Sequence, residues 1–171
     1  MDGLPVILIG FMGSGKSAVG RILAEKLHAP FADLDHIIER AAGRSIASIF
    51  AEEGESGFRD REHRALLQAL REPFHILSCG GGVILRDENR ALLLQQPRVF
   101  CLNASPETLW QRVRHDRSRP LLQTDDPRAA LQRLYDARLP IYQTFPRQIS
   151  TDGFRTSEVA DHIFSELRKT S

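Results

Sequence analysis

Eight residues near the amino terminus carry the most specific chemistry in the chain. Gly10-Phe11-Met12-Gly13-Ser14-Gly15-Lys16-Ser17 fits the pattern G-x-x-x-x-G-K-[ST]. Glycines in such a loop let the backbone wrap close to phosphate oxygens, in conformations that a Cβ hinders. The loop N–H groups then form an anion nest beside a helix N-terminus with its partial positive charge. Lys16 reaches the β/γ-phosphates, and Ser17 offers a hydroxyl to Mg²⁺. With this chain's own residue frequencies, a chance match is on the order of 10⁻³. Lys16 is also one of only three lysines, with Lys26 and Lys169, among 23 basic residues. The loop therefore predicts binding of a nucleoside triphosphate. No N-K-x-D guanine signature follows, and the chain is short for a motor, so a small-molecule kinase is the expected class.

The rest of the chain must supply the acceptor site. Asp33 and Asp35 stand two apart at the end of a short apolar run. Read as strand residues, they point to one side, toward the carboxyl edge where open α/β sheets bind ligands. They could serve a metal ion and an acceptor hydroxyl. Alternatively, Asp33 ends the strand and Asp35 caps the next helix. Gly80-Gly81-Gly82 directly follows another apolar run. One glycine suffices for a turn, so three suggest close approach of the backbone to a ligand. Arg59 sits at a helix start, where a basic residue opposes the dipole; position alone does not separate it from Arg61 or Arg64. Arg112, Arg114, Arg117 and Arg119 crowd a stretch without apolar periodicity. After a phosphate loop, that stretch (about 112–126) reads as a lid that excludes water and brings cations to the transferring phosphoryl group. Arg138 lies near a helix end, where a cation is ordinary.

The elements that position these residues alternate in period. Val6–Ile9, 30–35, 74–79, 98–102 and, weakly, 148–151 read as strands. Helical spacing covers Ser17 to about His28, Asp35–Ala42 with Gly43 as its stop, and Ser45–Phe50. It returns at about Ser56–Leu70, Arg86–Gln95, Ser105 to about Arg114, 127–139 and Ser157–Leu167. Ser105-Pro106-Glu107 combines a capping serine, a first-turn proline and an acid at the positive end of the dipole. Strands separated by helices predict a single α/β domain over residues 1–171, with about five parallel strands covered on both faces.

Composition excludes several classes. At 171 residues, 42% hydrophobic and 26% charged, the chain can bury a core without disulfides or a structural metal. A net charge of +1 leaves no footprint for nucleic acid or an anionic membrane. Cys79 and Cys101 belong to no metal or disulfide pattern and read as buried thiols. The start lacks a basic n-region and an apolar span of membrane length, so a cytosolic protein is expected.

Taken together, these motifs resemble the shikimate kinase family over nearly the whole chain. Gly10–Ser17 matches the phosphate loop and Asp33-Leu34-Asp35 its D-x-D. Gly43-Arg44-Ser45-Ile46-Ala47-Ser48-Ile49-Phe50 and Gly54-Glu55-Ser56-Gly57-Phe58-Arg59 resemble G-x-[ST]-I-x-x-I-F and G-E-x-x-F-R. Gly80–Gly82 matches the glycine triplet, Arg119-Pro120-Leu121-Leu122 the lid motif, and Arg138-Leu139-Pro140-Ile141-Tyr142 the R-x-P-x-Y element. Ala18 stands where many relatives have Thr, and Leu34 fills a position where small residues are common.

The resemblance implies a nucleoside monophosphate kinase-like fold with strand order 2-3-1-4-5. It implies ATP-dependent phosphorylation of the 3-hydroxyl of shikimate, on the route to chorismate and the aromatic amino acids. Carried over, Gly13, Ser14, Gly15, Lys16, Ser17, Ala18 and Arg119 hold ATP. Asp35, Arg59, Gly81, Gly82 and Arg138 bind shikimate within a region of about 33–62 and its neighbours. Ser17 and Asp33 support Mg²⁺, and Lys16, Asp35 and Arg119 serve catalysis. A monomer is implied, because the family's site lies within one chain. The resemblance assigns no residue in the adenine-contacting segment around 151–155. A kinase for another polyol acid, above all gluconate, shares the fold and loop but not the Phe-Arg, glycine-triplet and R-x-P-x-Y set. A non-catalytic nucleotide-binding protein on the same scaffold typically loses Lys16, the D-x-D or a lid arginine, and all are present.

Overall fold

A computed structural model describes residues 4–73, 76–116 and 119–169. The expected start of the third strand, Phe74-His75, and the lid residue Arg117 lie outside the described residues. Five parallel strands form one sheet: β1 (Val6–Gly10), β2 (Phe31–Asp33), β3 (Ile76–Ser78), β4 (Val99–Asn103) and β5 (Gln148–Ser150). Their spatial order is β2-β3-β1-β4-β5, as the resemblance implies.

Among the described residues seven helices flank the sheet: α1 (Lys16–Leu27), α2 (Leu34–Ala42), α3 (Ile46–Ala69), α4 (Asp87–Leu94), α5 (Pro106–Val113), α6 (Pro127–Tyr142) and α7 (Thr156–Lys169). The central strand β1 explains the layering. Val6 and Leu8 face α1 and α7 with Val19, Leu23, Val159 and Ile163, while Ile7 and Ile9 face the core built with α2, α3, α5 and α6. All four β1 side chains are fully buried. Each is worth roughly 1.5–3 kcal/mol of hydrophobic burial, so this strand anchors the loop that follows it.

Capping follows the sequence closely at several ends. Ser45 Oγ accepts from Ser48 N–H at 3.2 Å and Ser105 Oγ from Thr108 N–H at 3.3 Å. Gly43 closes α2 at φ 67°.

The two helices expected at Ser45–Phe50 and Ser56–Leu70 are both present within α3 and meet at a kink where Gly54 is non-helical (φ 69°, ψ −177°). Three elements depart from the sequence expectation. Helix α6 continues through Pro140 to Tyr142 instead of stopping at Leu139. There the buried Tyr142 ring and its hydroxyl bond to Gly81 O at 2.6 Å outweigh the lost backbone donor. Residues 83–85 and 120–122, unassigned in the sequence, are short 3₁₀ turns.

Candidate active site

The carboxyl edge of the sheet gathers the sequence-selected residues. Gly10 ends β1, and the loop returns as α1, whose N-cap Gly15 has φ 93°, a left-handed conformation that disfavours any side chain. The first i→i−4 bond of α1 runs from Val19 N–H to Gly15 O at 2.9 Å. The N–H groups of Lys16, Ser17 and Ala18 precede it and point out of the helix end, as anion binding requires. These residues, with Gly13 and Ser14, line a cavity of about 620 Å³.

Lys16 is almost fully buried, and its Nζ donates to Gly10 O at 2.9 Å and Phe11 O at 3.0 Å. Burial pulls its pKa down to about 8, with Asp35 and Asp33 opposing and Arg119 adding to the fall. A buried ammonium held on two carbonyls is poised for stronger acceptors, the oxygens of a polyphosphate.

Asp33 and Asp35 are brought together differently from the strand reading. Asp33 ends β2, but Leu34 already begins α2, so a strand-to-helix turn sets the pair. Asp33, not Asp35, is the cap: its Oδ1 accepts from Asp35 N–H at 3.1 Å. Its Oδ2 accepts from Ser17 Oγ at 2.6 Å, and Ser78 Oγ lies 3.1 Å from Ser17 Oγ. Asp35 is left free to face the cavity. Its Oδ1 is buried without a hydrogen-bond partner, and burial, reinforced by Asp33, raises its pKa.

No cluster of three or more His, Cys, Asp or Glu residues that could hold a metal exists among the described residues. The donor set at Ser17 and Asp33 is one hydroxyl and one carboxylate, all oxygen. This fits Mg²⁺, which keeps several waters and takes phosphate oxygens, and not a metal that needs a protein cage.

A second cavity of about 500 Å³ lies between α2, α3 and the glycine triplet. Arg59 reaches into it from α3, with Nη1 donating to Glu62 Oε2 at 2.8 Å and Nη2 to Glu55 Oε1 at 3.0 Å. Arg138 reaches it from α6, donating to Gly81 O at 3.3 Å, and burial lowers its pKa. The two arginines thus converge at one end of a cavity whose other walls include Ile46, Phe50, Phe58 and Leu121. Three-dimensional placement selects Arg59. Arg61 is held by Glu53 through two bonds of 2.8 Å, and Arg64 donates to Asp60 O.

The glycine triplet has a steric explanation. A Cβ on Gly82 would overlap the Arg59 guanidinium, and one on Gly81 would lie 3.1 Å from Met12 N. The two cavities share Met12, Asp35, Gly80, Gly81 and Arg119. Arg119, on the stretch before the 3₁₀ turn at Pro120–Leu122, pairs with Asp116 at 2.8 Å.

Sequence reading missed two features. It groups Arg112 with the lid, but Arg112 lies on α5 and donates to Gly13 O at 3.1 Å and to Thr151 Oγ1 and O at 3.0 Å. It pins the phosphate loop to the segment after β5, where Thr151, Phe154, Arg155 and Thr156 line the far end of the first cavity. Glu62, fully buried on α3, is the second, because a single acid on a charged helix carries no signal of burial.

A phosphate-loop cavity that opens into a second, arginine-ended cavity on this strand order defines a P-loop phosphotransferase of the nucleoside monophosphate kinase-like fold. Comparison with known proteins narrows the class. The shikimate kinase family profile matches residues 12–168, and the chain belongs to that family. A shikimate kinase of Burkholderia thailandensis is 51% identical over 138 residues, 81% of this chain and 75% of its own length. One from Thermodesulfovibrio yellowstonii is 39% identical over 166 residues, 97% and 96% of the two chains. Among solved structures, a shikimate kinase from Acinetobacter baumannii in complex with shikimate superposes with a TM-score of 0.93 at 37% identity, covering 99% of this chain and 96% of its own.

Proposed function

We propose that this chain transfers the γ-phosphoryl group of ATP to the 3-hydroxyl of shikimate, giving shikimate 3-phosphate on the route to chorismate. The observation that carries this reading is the junction of the two cavities at Asp35 and Arg119. An acceptor whose carboxylate lies on Arg59 and Arg138 directs its hydroxyls toward Asp35. A triphosphate on the loop ends at Lys16 and Arg119.

Shikimate is a small anion with vicinal hydroxyls. Two guanidinium forks suit its carboxylate, and Asp35 accepts a hydrogen bond from the attacking hydroxyl and orients it. Lys16 and Arg119 place positive charge on the transferring group, where phosphoryl transfer depends on positioning and electrostatics. Mg²⁺, held through Ser17, Asp33 and water, neutralises charge on the phosphate oxygens when bound. Arg112, with the Thr151–Thr156 segment, forms the base end of the nucleotide cavity.

The same reading makes the protein a cytosolic monomer without nucleic-acid or membrane partners. It is supported by a near-neutral charge and by described helices that are nowhere long and apolar enough to cross a membrane. Coupled ADP release with Mg²⁺-ATP and, separately, shikimate, quinate and gluconate tests the reaction. Turnover with shikimate far above the other two is expected. Preference for gluconate, or no turnover with intact ATP binding, would replace the reading with one of its alternatives.

A further inference from the structure

Glu62 lies behind the arginine clamp and has no part in the reaction above. It is fully buried, on α3 one turn beyond Arg59. Its Oε2 accepts from Arg59 Nη1 at 2.8 Å, while its Oε1 is buried without a partner. Another orphan borders the same space. A Cβ built on Gly80 would lie 3.2 Å from Glu62 Oε1 and 2.7 Å from Asp35 Oδ1. The missing side chain at position 80 therefore leaves two buried, unpartnered carboxyl oxygens beside one small gap at the edge of the second cavity.

The charges around Glu62 come from four elements. On its own helix are Arg59 and, sharing that guanidinium, the half-exposed Glu55. Asp35 faces it from α2, Arg138 and the Tyr142 hydroxyl from α6, and the Cys79 thiol from the end of β3. Burial pushes the Glu62 carboxyl up to about 7, with Arg59 and Arg138 pulling down and Asp35 pushing up. Near neutral pH the arginines hold only part of it ionised. An anionic acceptor on the same two guanidiniums competes for that stabilisation and expels the remaining water.

We infer that Glu62 takes up one proton from solvent when the acceptor carboxylate docks on Arg59 and Arg138, so that acceptor binding is proton-coupled. The inference rests on the acceptor reading proposed above. The protonated carboxyl keeps an acceptor oxygen for Arg59 and gains an O–H that faces Asp35 Oδ1. One proton then relieves both the excess negative charge and an orphaned oxygen. The sign follows from linkage: a group whose pKa rises on binding makes affinity fall as pH rises through its free-protein value. Shikimate affinity should drop by up to about tenfold per pH unit above pH 7.

Titration calorimetry of shikimate into the full chain at pH 7.5, in HEPES and in Tris, reads the proton directly. The two buffers differ in ionisation enthalpy, so the observed heats should differ, with uptake of about three-quarters of a proton per site at this pH. Glu62→Gln should bind shikimate with heats independent of buffer and an affinity flat in pH. A residue that only props Arg59 would change affinity but not proton count. Should that variant fold poorly, an infrared difference spectrum of the wild type should gain a protonated-carboxyl band on adding shikimate. Saturable binding with buffer-independent heats, uptake that survives in Glu62→Gln, or the lack of that band would overturn the inference while leaving the acceptor reading standing. Failure of shikimate to bind at all, with ATP binding intact, overturns both.

Discussion

Ser17 Oγ donates to Asp33 Oδ2 at 2.6 Å, tying the first turn of α1 to the end of β2. The two are sixteen positions apart in sequence, yet both residues line the first cavity. Ser78 Oγ, 3.1 Å from Ser17 Oγ, steadies the pair from β3.

Asp33→Asn should therefore raise the Mg²⁺ concentration required for turnover. The carboxylate charge is lost while the side chain keeps its shape and capping oxygen, and loss of an ordering contact at a metal typically costs 10–100-fold in affinity or activity. ATP binding without Mg²⁺ should change little. Activity titrated with Mg²⁺ checks this; an unaltered half-saturation point would remove Asp33 from the metal's support.

Lys16→Ala should lower kcat by at least about 10²–10³ with the fold retained. The ammonium is placed to meet the phosphates, and the substitution leaves in place the two backbone carbonyls and the Ser14 hydroxyl that accept from it. Near-native turnover would argue against the phosphate-loop chemistry, whereas a collapsed thermal transition would point to a structural role.

Gly82→Ala should reproduce Arg59→Ala. The backbone at Gly82 (φ −107°) accepts alanine, but its Cβ would displace the Arg59 guanidinium. Each change should weaken shikimate binding by an amount of order 2–5 kcal/mol, the loss of a desolvated charge pair, and leave ATP affinity near normal. Arg138→Ala should do the same at some cost in stability, because Arg138 is buried. Calorimetry with each ligand separates the outcomes; unchanged shikimate affinity in both arginine variants would refute the clamp.

Arg119→Ala should act mainly on kcat. Arg119 borders both cavities and pairs with Asp116 at 2.8 Å. A contact that strengthens as phosphate charge develops appears in turnover more than in acceptor affinity. Amides of residues 119–126 should exchange more slowly with ATP and shikimate than without. Equal exchange in both states, or an unaltered kcat, would rule out a closing lid.

Much of the nucleotide site is legible in the sequence. The phosphate loop is one contiguous run whose glycines, helix start and lysine act within a few residues of one another. Ser45, Ser105 and Gly43 mark helix ends for the same reason: a cap bonds to N–H groups only two or three residues away. Buried strand β1 announces itself by composition. What remained hidden were departures from local rule. Pro140 sits inside α6 because Tyr142 and Gly81, sixty-one residues apart, bond to one another. Asp35 is released from capping because Asp33 takes that task, a choice between neighbours that a D-x-D pattern leaves open.

The local chemistry of this protein, a nest for phosphate with its lysine and serine, was determined by sequence alone, because short-range backbone geometry builds it. The encounter of two cavities at Asp35 and Arg119 was decided by tertiary structure, as were Arg59 lining the second cavity while Glu53 holds Arg61, Arg112 bound to Gly13 and Thr151, and Glu62 buried beside Arg59. Each depends on which helices cover the sheet edge and how deeply they bury a side chain. Long-range packing sets those quantities, and burial is what turns an ordinary arginine or glutamate into a group with a task.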